Sequence, residues 1–144
     1  MAAGSKFNAF VQYLANGTYN LGADTLKCIL TNTAPIATNS LYGDISANEL
    51  ANGNGYTTGG VTVTGVTSLQ TSGTLKLIGS LANPTWTATG AMGPFQYAVL
   101  YDSTPASPLK PLICAWNYGS TVSLVSGQTF TVALDTVNGI LQIT

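Results

Sequence analysis

Alternation of apolar and polar residues dominates the chain downstream of Gly55. Val61 and Val63 alternate with threonines, and "FQYAVLY" at 95–101 and "QTFTVAL" at 128–134 repeat the pattern. A period of two places alternate side chains on the same face of a β-strand. Two shared faces are therefore expected: Phe95, Tyr97, Val99 and Tyr101 in one strand, and Phe130, Val132 and Leu134 in another.

Turn-forming residues divide the chain at short intervals, at "NP", "GP", "STPASP", "SGQ" and "NG". Further strand candidates are "TLKCILT", "TSGTLKLIG", "PTWTAT", "PLICAWNY", "TVSLV" and "GILQIT". About eight or nine short strands predict a mainly β fold, a single-domain antiparallel β-sandwich or jelly-roll-like fold over residues 1–144. The residues expected to line its inner faces are Trp86, Phe95, Tyr97, Val99, Trp116, Phe130 and Val132.

Helical periodicity is confined to the N-terminal segment. Four apolar residues recur there at i, i+3, i+4 and i+7, namely Phe7, Phe10, Val11 and Leu14. Ser5 is the predicted N-cap, and the pair Asn16 and Gly17 is the predicted stop. We expect one short amphipathic α-helix within residues 1–17, packed on its own domain or on a neighbouring subunit. A second, short helical turn is expected over residues 44–51.

The glycine-rich segment "ANGNGYTTGG" at 51–60 invites comparison with phosphate-binding loops. Such a loop needs a following helix and a lysine at its end, whereas this segment has no lysine and leads into a strand. The acid spacing of a calcium-binding loop is also missing. We interpret the segment as a mobile connection that permits positive φ and has too little apolar surface to join the core. Partner contact is its remaining role, with Gly53, Asn54, Gly55, Tyr56 and Thr57 as candidates.

Charge is scarce in this chain. Charged residues make up 6% of its 144 residues, against roughly 25% in ordinary soluble domains. A free monomer with so little charge is poorly soluble, so we expect copies of the chain or a partner to cover much of its surface.

The distribution of the charges excludes two classes of partner. Four lysines and no arginine give a net charge of −1, which supplies no cationic patch for nucleic acid. No apolar run approaches the ~18 residues that span a bilayer, so no membrane partner is expected. The N-terminal segment also lacks the continuous apolar stretch of a signal peptide, and we expect the mature chain to begin at or near Met1.

Candidate catalytic chemistry is sparse. The chain has no histidine, which excludes Ser-His and Cys-His nucleophile activation. Its acids stand singly beside turn residues: Asp24, Asp44, Glu49, Asp102 and Asp135. A carboxylate pair for glycoside cleavage could still form in space, because the required separation of about 5–9.5 Å is a property of the fold. We expect no enzymatic activity, no catalytic residue and no cofactor.

Two cysteines stand far apart in sequence, Cys28 in "TLKCILTN" and Cys114 in "PLICAWNYG". Both lie in predicted strands, so we expect two buried free thiols, with a disulfide as the alternative. Two cysteines without a histidine cannot fill a four-ligand zinc site, and no metal site is expected.

Several stretches together resemble a family of small virion structural proteins of tailed bacteriophages. These are "FVQYLANGTYNLGADTLKCILTNTAPIATN", "ANGNGYTTGGV", "NPTWTATGAMGPFQYAVLYDST", "KPLICAWNYGS" and "SGQTFTVALDTVNGILQI". The resemblance covers nearly the whole chain, and none of its motifs is catalytic. It carries over no functional residue position by position.

The resemblance implies a non-enzymatic, β-rich particle protein, foremost a capsid decoration or cement protein that stabilises the head shell. Such a protein assembles in the host cytoplasm and ends on the capsid surface of the virion. Its partners would be the major capsid protein and copies of itself, in small cyclic oligomers such as trimers. A tail, baseplate or fibre component is the alternative, and a carbohydrate-binding module or glycosidase-like protein is a more distant one. Partner contacts are expected at the helix stripe and the glycine-rich segment.

Overall fold

The computed structural model describes residues 4–79 and 83–143. Ten strands form in these ranges: β1 (Ser5–Lys6), β2 (Leu26–Thr31), β3 (Val61–Val63), β4 (Val66–Thr71), β5 (Thr74–Gly79), β6 (Thr85–Thr87), β7 (Met92–Asp102), β8 (Leu112–Leu124), β9 (Thr129–Thr131) and β10 (Leu141–Ile143). Helix α1 (Asn8–Ala15) lies between β1 and β2, and two 3-10 turns, Tyr42–Asp44 and Ser46–Asn48, lie between β2 and β3. The predicted mainly β fold with one N-terminal helix is confirmed.

The strands form three antiparallel sheets. A central sheet has the order β1-β8-β7-β2-β3, a second has the order β10-β5-β4, and β6 pairs with β9. All of these pairings are antiparallel. The two smaller sheets pack their apolar side chains against one face of the central sheet, which gives a sandwich-like arrangement.

Both faces of the central sheet are covered. On one face lies the main core, whose buried side chains include Phe10, Leu30, Tyr56, Trp86, Phe95 and Val132. On the other lies the second core, formed by Phe7, Ile29, Ile45, Val99, Tyr101 and Leu112. Burial on both faces explains why β2 has an almost unbroken apolar sequence, "LKCILT", and no clear alternation.

An irregular pairing between β7 and β8 overturns one sequence prediction. Tyr97 pairs with Asn117, but Phe95 pairs with Val122, so four residues of β8 oppose one residue of β7. A shift in register moves a side chain to the opposite face of a sheet. Phe95 accordingly enters the main core, whereas Val99 and Tyr101 lie in the second core. The predicted single face for Phe95, Tyr97, Val99 and Tyr101 is therefore wrong.

The other predicted core positions are largely confirmed. Trp86, Trp116 and Val132 are buried in the main core. Phe130 and Leu134 are partly buried against it, as the alternation in their segment predicts. Tyr97, the remaining residue of the wrongly predicted shared face, is half-buried and belongs to neither core.

The helix begins later than predicted. Its first residue is Asn8 and its N-cap position is Phe7, which makes no side-chain cap, so the prediction of Ser5 as N-cap is wrong. Ser5 instead pairs with Ala115 of β8 as part of β1. Edge pairing satisfies the backbone groups of this segment, which a helical turn would otherwise have to satisfy. The predicted stop is confirmed, because the helix ends before Asn16 and Gly17 has φ +73°.

Cys28 and Cys114 are fully buried free thiols, as predicted. Each pairs in register with Leu100, Cys28 from β2 and Cys114 from β8, so the whole of β7 lies between them. Two strand spacings separate their Cα atoms by about 10 Å, which is beyond the roughly 7 Å limit for a disulfide. Burial raises the pKa of both thiols well above the ordinary value and leaves them protonated and unreactive.

Candidate functional site

The four helix residues predicted to contact a partner differ in how deeply their side chains are buried. Phe10 is fully buried in the main core and Phe7 is buried in the second core. Leu14 is partly buried against the main core, and Val11 is 43% exposed. The structure corrects the prediction for Phe7 and Phe10, because the chain's own core already covers both rings. Val11 is the stripe residue with an exposed side chain.

The second candidate, the glycine loop (residues 51–60), leaves and rejoins the same edge of β2. Before the loop, the Leu50 amide donates to the Leu30 carbonyl at 2.9 Å. After it, Val61 pairs with Cys28. The segment is therefore a compact excursion from one side of β2 with its two ends close together, the geometry of an Ω-loop.

Tyr56 anchors this loop in the main core. Its side chain is 2% exposed, and its ring stacks on Trp86 with a centroid distance of 6.5 Å. A tight turn holds it in place, since the Gly53 and Tyr56 backbones exchange hydrogen bonds of 2.8 and 2.9 Å. The prediction that the segment has too little apolar surface to join the core is wrong, because this one aromatic ring supplies that surface.

Further contacts fasten the loop to the segment that follows β6. The Asn54 side chain donates to the Ala91 carbonyl at 2.9 Å, and the Thr89 amide donates to the Asn54 carbonyl at 3.0 Å. Gly55 passes so close to Thr87 that a Cβ there would lie 2.1 Å from its carbonyl oxygen. The interpretation of the segment as a mobile connection therefore conflicts with the many contacts that hold it. Its positive φ values, at Gly55 for example, are as predicted.

Glu49 closes the neck of the loop. Its Oε1 atom accepts hydrogen bonds from the Tyr56 hydroxyl at 2.6 Å and from the Gly59 amide at 2.7 Å. Its Oε2 atom accepts from the Tyr42 hydroxyl. Tyr101 completes the cluster by donating to the Gly59 carbonyl at 2.9 Å. One carboxylate thus joins both ends of the loop, and charge-assisted hydrogen bonds of this kind are the stronger ones in proteins.

The tyrosines around Glu49 stay in the donating, neutral form. Burial, followed by the hydrogen bond to Glu49, raises the pKa of Tyr42 and Tyr56. Burial also raises the pKa of Tyr101 to about 12. Lys110 lies over the Tyr42 ring with its Nζ atom 5.1 Å from the centroid. The three phenol groups therefore remain hydrogen-bond donors throughout the physiological pH range.

We expect Glu49→Gln to lower the free energy of unfolding by about 1–3 kcal/mol, because the amide cannot accept at both of its ends. Urea unfolding measures this loss, and hydrogen exchange at the Gly59 amide shows whether the loop neck opens. Tyr42→Phe is the control, since it removes one hydroxyl and leaves the neck bonded. Equal effects of the two variants, with unchanged exchange at Gly59, would show that Glu49 does not close the loop.

The glycine loop, held by these contacts, presents a polar, uncharged surface to solvent. The exposed residues of the glycine loop are Ala51, Asn52, Asn54, Gly55, Thr57 and Thr58. Of the five contact candidates in this segment, Asn54, Gly55 and Thr57 are exposed, Gly53 is partly exposed and Tyr56 is buried. The structure thus corrects the prediction for Tyr56, whose ring anchors the loop and is not available to a partner.

Asp24 and Asp102 are acids whose placement in the fold sequence reasoning missed. Asp24 precedes β2 and Asp102 ends β7, and the pairing of Leu26 with Asp102 brings the two acids to the same end of the central sheet. Asp102 is fully buried, its Oδ1 atom accepts from the Thr104 amide at 2.9 Å, and its Oδ2 atom has no donor in the described residues. Burial, with the neighbouring Asp24, raises the pKa of Asp102 to about 7.

The remaining chemistry of the described residues is limited. In residues 4–79 and 83–143, no three His, Cys, Asp or Glu side chains come together as a metal site would need. No helix in these ranges has the length and apolar character to span a bilayer. No protein-family model matches the chain, and neither a curated protein nor a solved structure matches it. Function is therefore inferred from this chain's own residues and contacts.

Proposed function

We propose that the protein is a non-enzymatic structural component of a tailed-phage virion, and specifically a decoration (cement) protein of the capsid. The observation that carries this proposal is the glycine loop, which is exposed and uncharged yet fixed at its neck by Glu49 and at its tip by Tyr56. The sequence resemblance suggests that the particle is a tailed-phage virion, and the glycine loop is the surface that would dock on it.

A fixed loop suits repeated docking on a protein lattice. Ordering a flexible loop on binding costs free energy, and that cost is removed when the free protein already holds the bound shape. The exposed groups are amides and hydroxyls, and the described loop carries no charge. Contacts of this kind depend little on salt, because screening acts on charges. Many such copies that bind only the assembled shell stabilise it by mass action.

A second surface favours contact between copies of the chain. Strand β4 pairs with β5 on one side, and no other described strand pairs with it. Its sequence "VTSLQT" has no charge and no proline, and Leu69 is 53% exposed. Natural proteins usually protect such an edge with charges, prolines or bulges. An edge that a neighbouring copy covers in an oligomer needs no such protection, so the unprotected edge of β4 favours contact between copies.

The position of the tryptophans weakens the carbohydrate-binding alternative. A glycan platform needs an exposed aromatic ring, but Trp86 and Trp116 are 2% and 5% exposed. The tail, baseplate or fibre alternative differs from decoration in copy number and not in surface chemistry. Counting the protein in the particle therefore separates these two.

Quantitative mass spectrometry of purified virions is expected to find the protein at hundreds of copies per particle, as a decorated shell requires. Imaging of the same particles should place it on the head. Tens of copies or fewer, or density confined to the tail, would contradict decoration. Absence from the virion would contradict a structural role altogether.

Docking through the glycine loop is tested with two matched threonine variants. Thr57→Arg places a bulky charge on the exposed loop, and Thr136→Arg places the same charge on an exposed turn near the C-terminus. We expect Thr57→Arg to weaken binding to stripped particles about tenfold or more, because a buried unpaired charge opposes association. Thr136→Arg should bind like the parent, and both should melt like it. Parental binding by Thr57→Arg would exclude the loop as the docking surface.

A further inference from the structure

Strand β4 differs from every other edge strand in the described part of the chain. It has six residues, whereas the other edge strands, β1, β3, β6, β9 and β10, have two or three. Val66 is partly exposed and the five residues after it are exposed, so neither face of β4 is covered along its length. A strand is normally stabilised by a buried face or by pairing on both sides. With β5 as its one partner, β4 has an outer edge that another strand could pair with.

The hairpin that joins β4 to β5 fixes which backbone groups point to this free edge. Its turn consists of Ser72, with φ 50°, and Gly73, with φ 81°, and Thr71 pairs with Thr74 across it. The residues that flank such a turn form a hydrogen-bonded pair, and bonded and non-bonded pairs then alternate along an antiparallel ladder. Every second residue of β4 therefore turns its N–H and C=O groups outward. These residues are Val66, Ser68 and Gln70.

The third strand of the sheet agrees with this alternation. Ser68 pairs with Leu77 of β5, and the Leu77 carbonyl accepts a hydrogen bond from the Ile140 amide next to β10. That carbonyl points away from β4, so Ser68 and Leu77 are a non-bonded pair and the backbone groups of Ser68 face outward. In the described residues, no backbone hydrogen bond outside the β4–β5 ladder involves Val66, Ser68 or Gln70.

We propose that β4 pairs with β4 of a second copy, antiparallel and about a two-fold axis that passes between the two Ser68 residues. In this register Ser68 faces its own counterpart, and Val66 of each copy faces Gln70 of the other. Each outward residue then meets an outward residue, and about six backbone hydrogen bonds form. Shifting the register along the strand would leave some of these groups without a partner.

The side chains also suit a second copy. Self-pairing places Leu69, which is 53% exposed, beside Thr67 of the other copy, where cross-strand contact covers part of its surface. Strand β4 itself has no charge. The nearest charged side chain of the sheet is Lys76, opposite Leu69 on β5. It lies at least three strand spacings, about 14 Å, from its counterpart, which is beyond the screening length of about 8 Å.

A two-fold pair is favoured over a head-to-tail chain of copies. The opposite edge of the same sheet is β10, which has three residues against six in β4. Pairing of β4 with β10 would leave half of β4 uncovered and would continue from copy to copy without closing. Pairing of β4 with β4 closes after two copies and joins two three-stranded sheets into one. It specifies the contact between copies that the proposed function includes, and it forms in the free protein.

Sedimentation of the full chain, free in solution, tests this pairing. We expect a dimer that dissociates on dilution. Ser68→Pro removes an outward N–H and no bond to β5, at an edge position where strands tolerate proline. Because the substitution acts in both copies, the dissociation constant should rise about tenfold or more. Ser68→Ala, which keeps the N–H, is the matched control and should dimerise like the parent.

Ser68→Cys tests the register, also if the proline variant fails to fold. Facing residues of a bonded pair have Cα atoms about 5.5 Å apart, within the range of a disulfide, so mild oxidation should link two copies. Gln70→Cys is the control, because its counterpart lies four residues further along the strand, about 13 Å away. Cys28 and Cys114 are fully buried and take no part in the reaction.

A parent that stays monomeric at its highest soluble concentration, or that forms a trimer, would overturn the proposal. A folded Ser68→Pro variant that dimerises as tightly as Ser68→Ala would also overturn it, as would equal linking of Gln70→Cys and Ser68→Cys. The number of copies in purified virions tests the proposed function separately, because that number does not depend on how β4 pairs.

Discussion

Replacing Gly60 with alanine is expected to lower the free energy of unfolding by about 3–5 kcal/mol. Gly60 has φ +72°, and a Cβ built there would lie 1.9 Å from the Cys28 carbonyl oxygen. That oxygen belongs to the backbone of β2, which is held between β3 and β7 and cannot move aside without breaking the central sheet. Urea unfolding measures the loss, which is a large share of the ~5–15 kcal/mol typical of such a domain.

Gly17 provides the matched control. It has φ +73°, nearly the same as Gly60, but nothing lies within 4 Å of a Cβ built there. Gly17→Ala therefore carries only the cost of the left-handed conformation, about 1–2 kcal/mol. Equal losses in the two variants would mean that conformation alone is responsible and that the loop end does not press against β2.

Replacing Phe10 with alanine is expected to cost about 3–5 kcal/mol, because it leaves a cavity in the main core. The ring is fully buried and packs against Tyr19 with a centroid distance of 5.1 Å. Thermal and urea unfolding of the isolated chain measure the effect. The loss should be present in dilute protein, where no second copy is bound.

Val11→Ala, one residue further along the same helix, is the control for Phe10→Ala. Val11 is 43% exposed, so truncating it should change stability by less than about 0.5 kcal/mol. If Phe10→Ala were equally mild in the isolated chain but abolished particle binding, the helix stripe would be a partner surface after all. That result would contradict the packing of α1 described here.

Most strand positions could be predicted because burial of one or both faces leaves a pattern in the sequence; β1, whose two residues are exposed, has no such pattern. The segment around Val132 shows this well, since Phe130 and Leu134 lie on its face as the period of two requires. The prediction for Phe95 failed because register depends on the partner strand. Nothing within "FQYAVLY" indicates that β8 inserts four residues opposite Gln96.

The functional contacts were harder to predict because they join distant parts of the chain. The Tyr56 hydroxyl reaches Glu49 and its ring reaches Trp86 only when the loop folds back onto the main core, and no local sequence pattern links these residues. The glycines of the loop suggested freedom of movement, but Gly60 is there because the backbone of β2 leaves no room for a Cβ. Tyr56 is the residue that could have corrected this interpretation, since one aromatic ring among glycines and threonines is typical of an anchor.

Because the two thiols are buried, the rate at which they react with a reagent reports how readily the protein unfolds. Cys28 and Cys114 flank Leu100 in the middle of the central sheet, and neither has any exposed surface. A thiol reagent can reach them only when the sheet separates, so the rate of alkylation follows the rate or the extent of global unfolding. If the protein binds a capsid as proposed, comparing that rate for free and for capsid-bound protein would measure how strongly binding opposes unfolding.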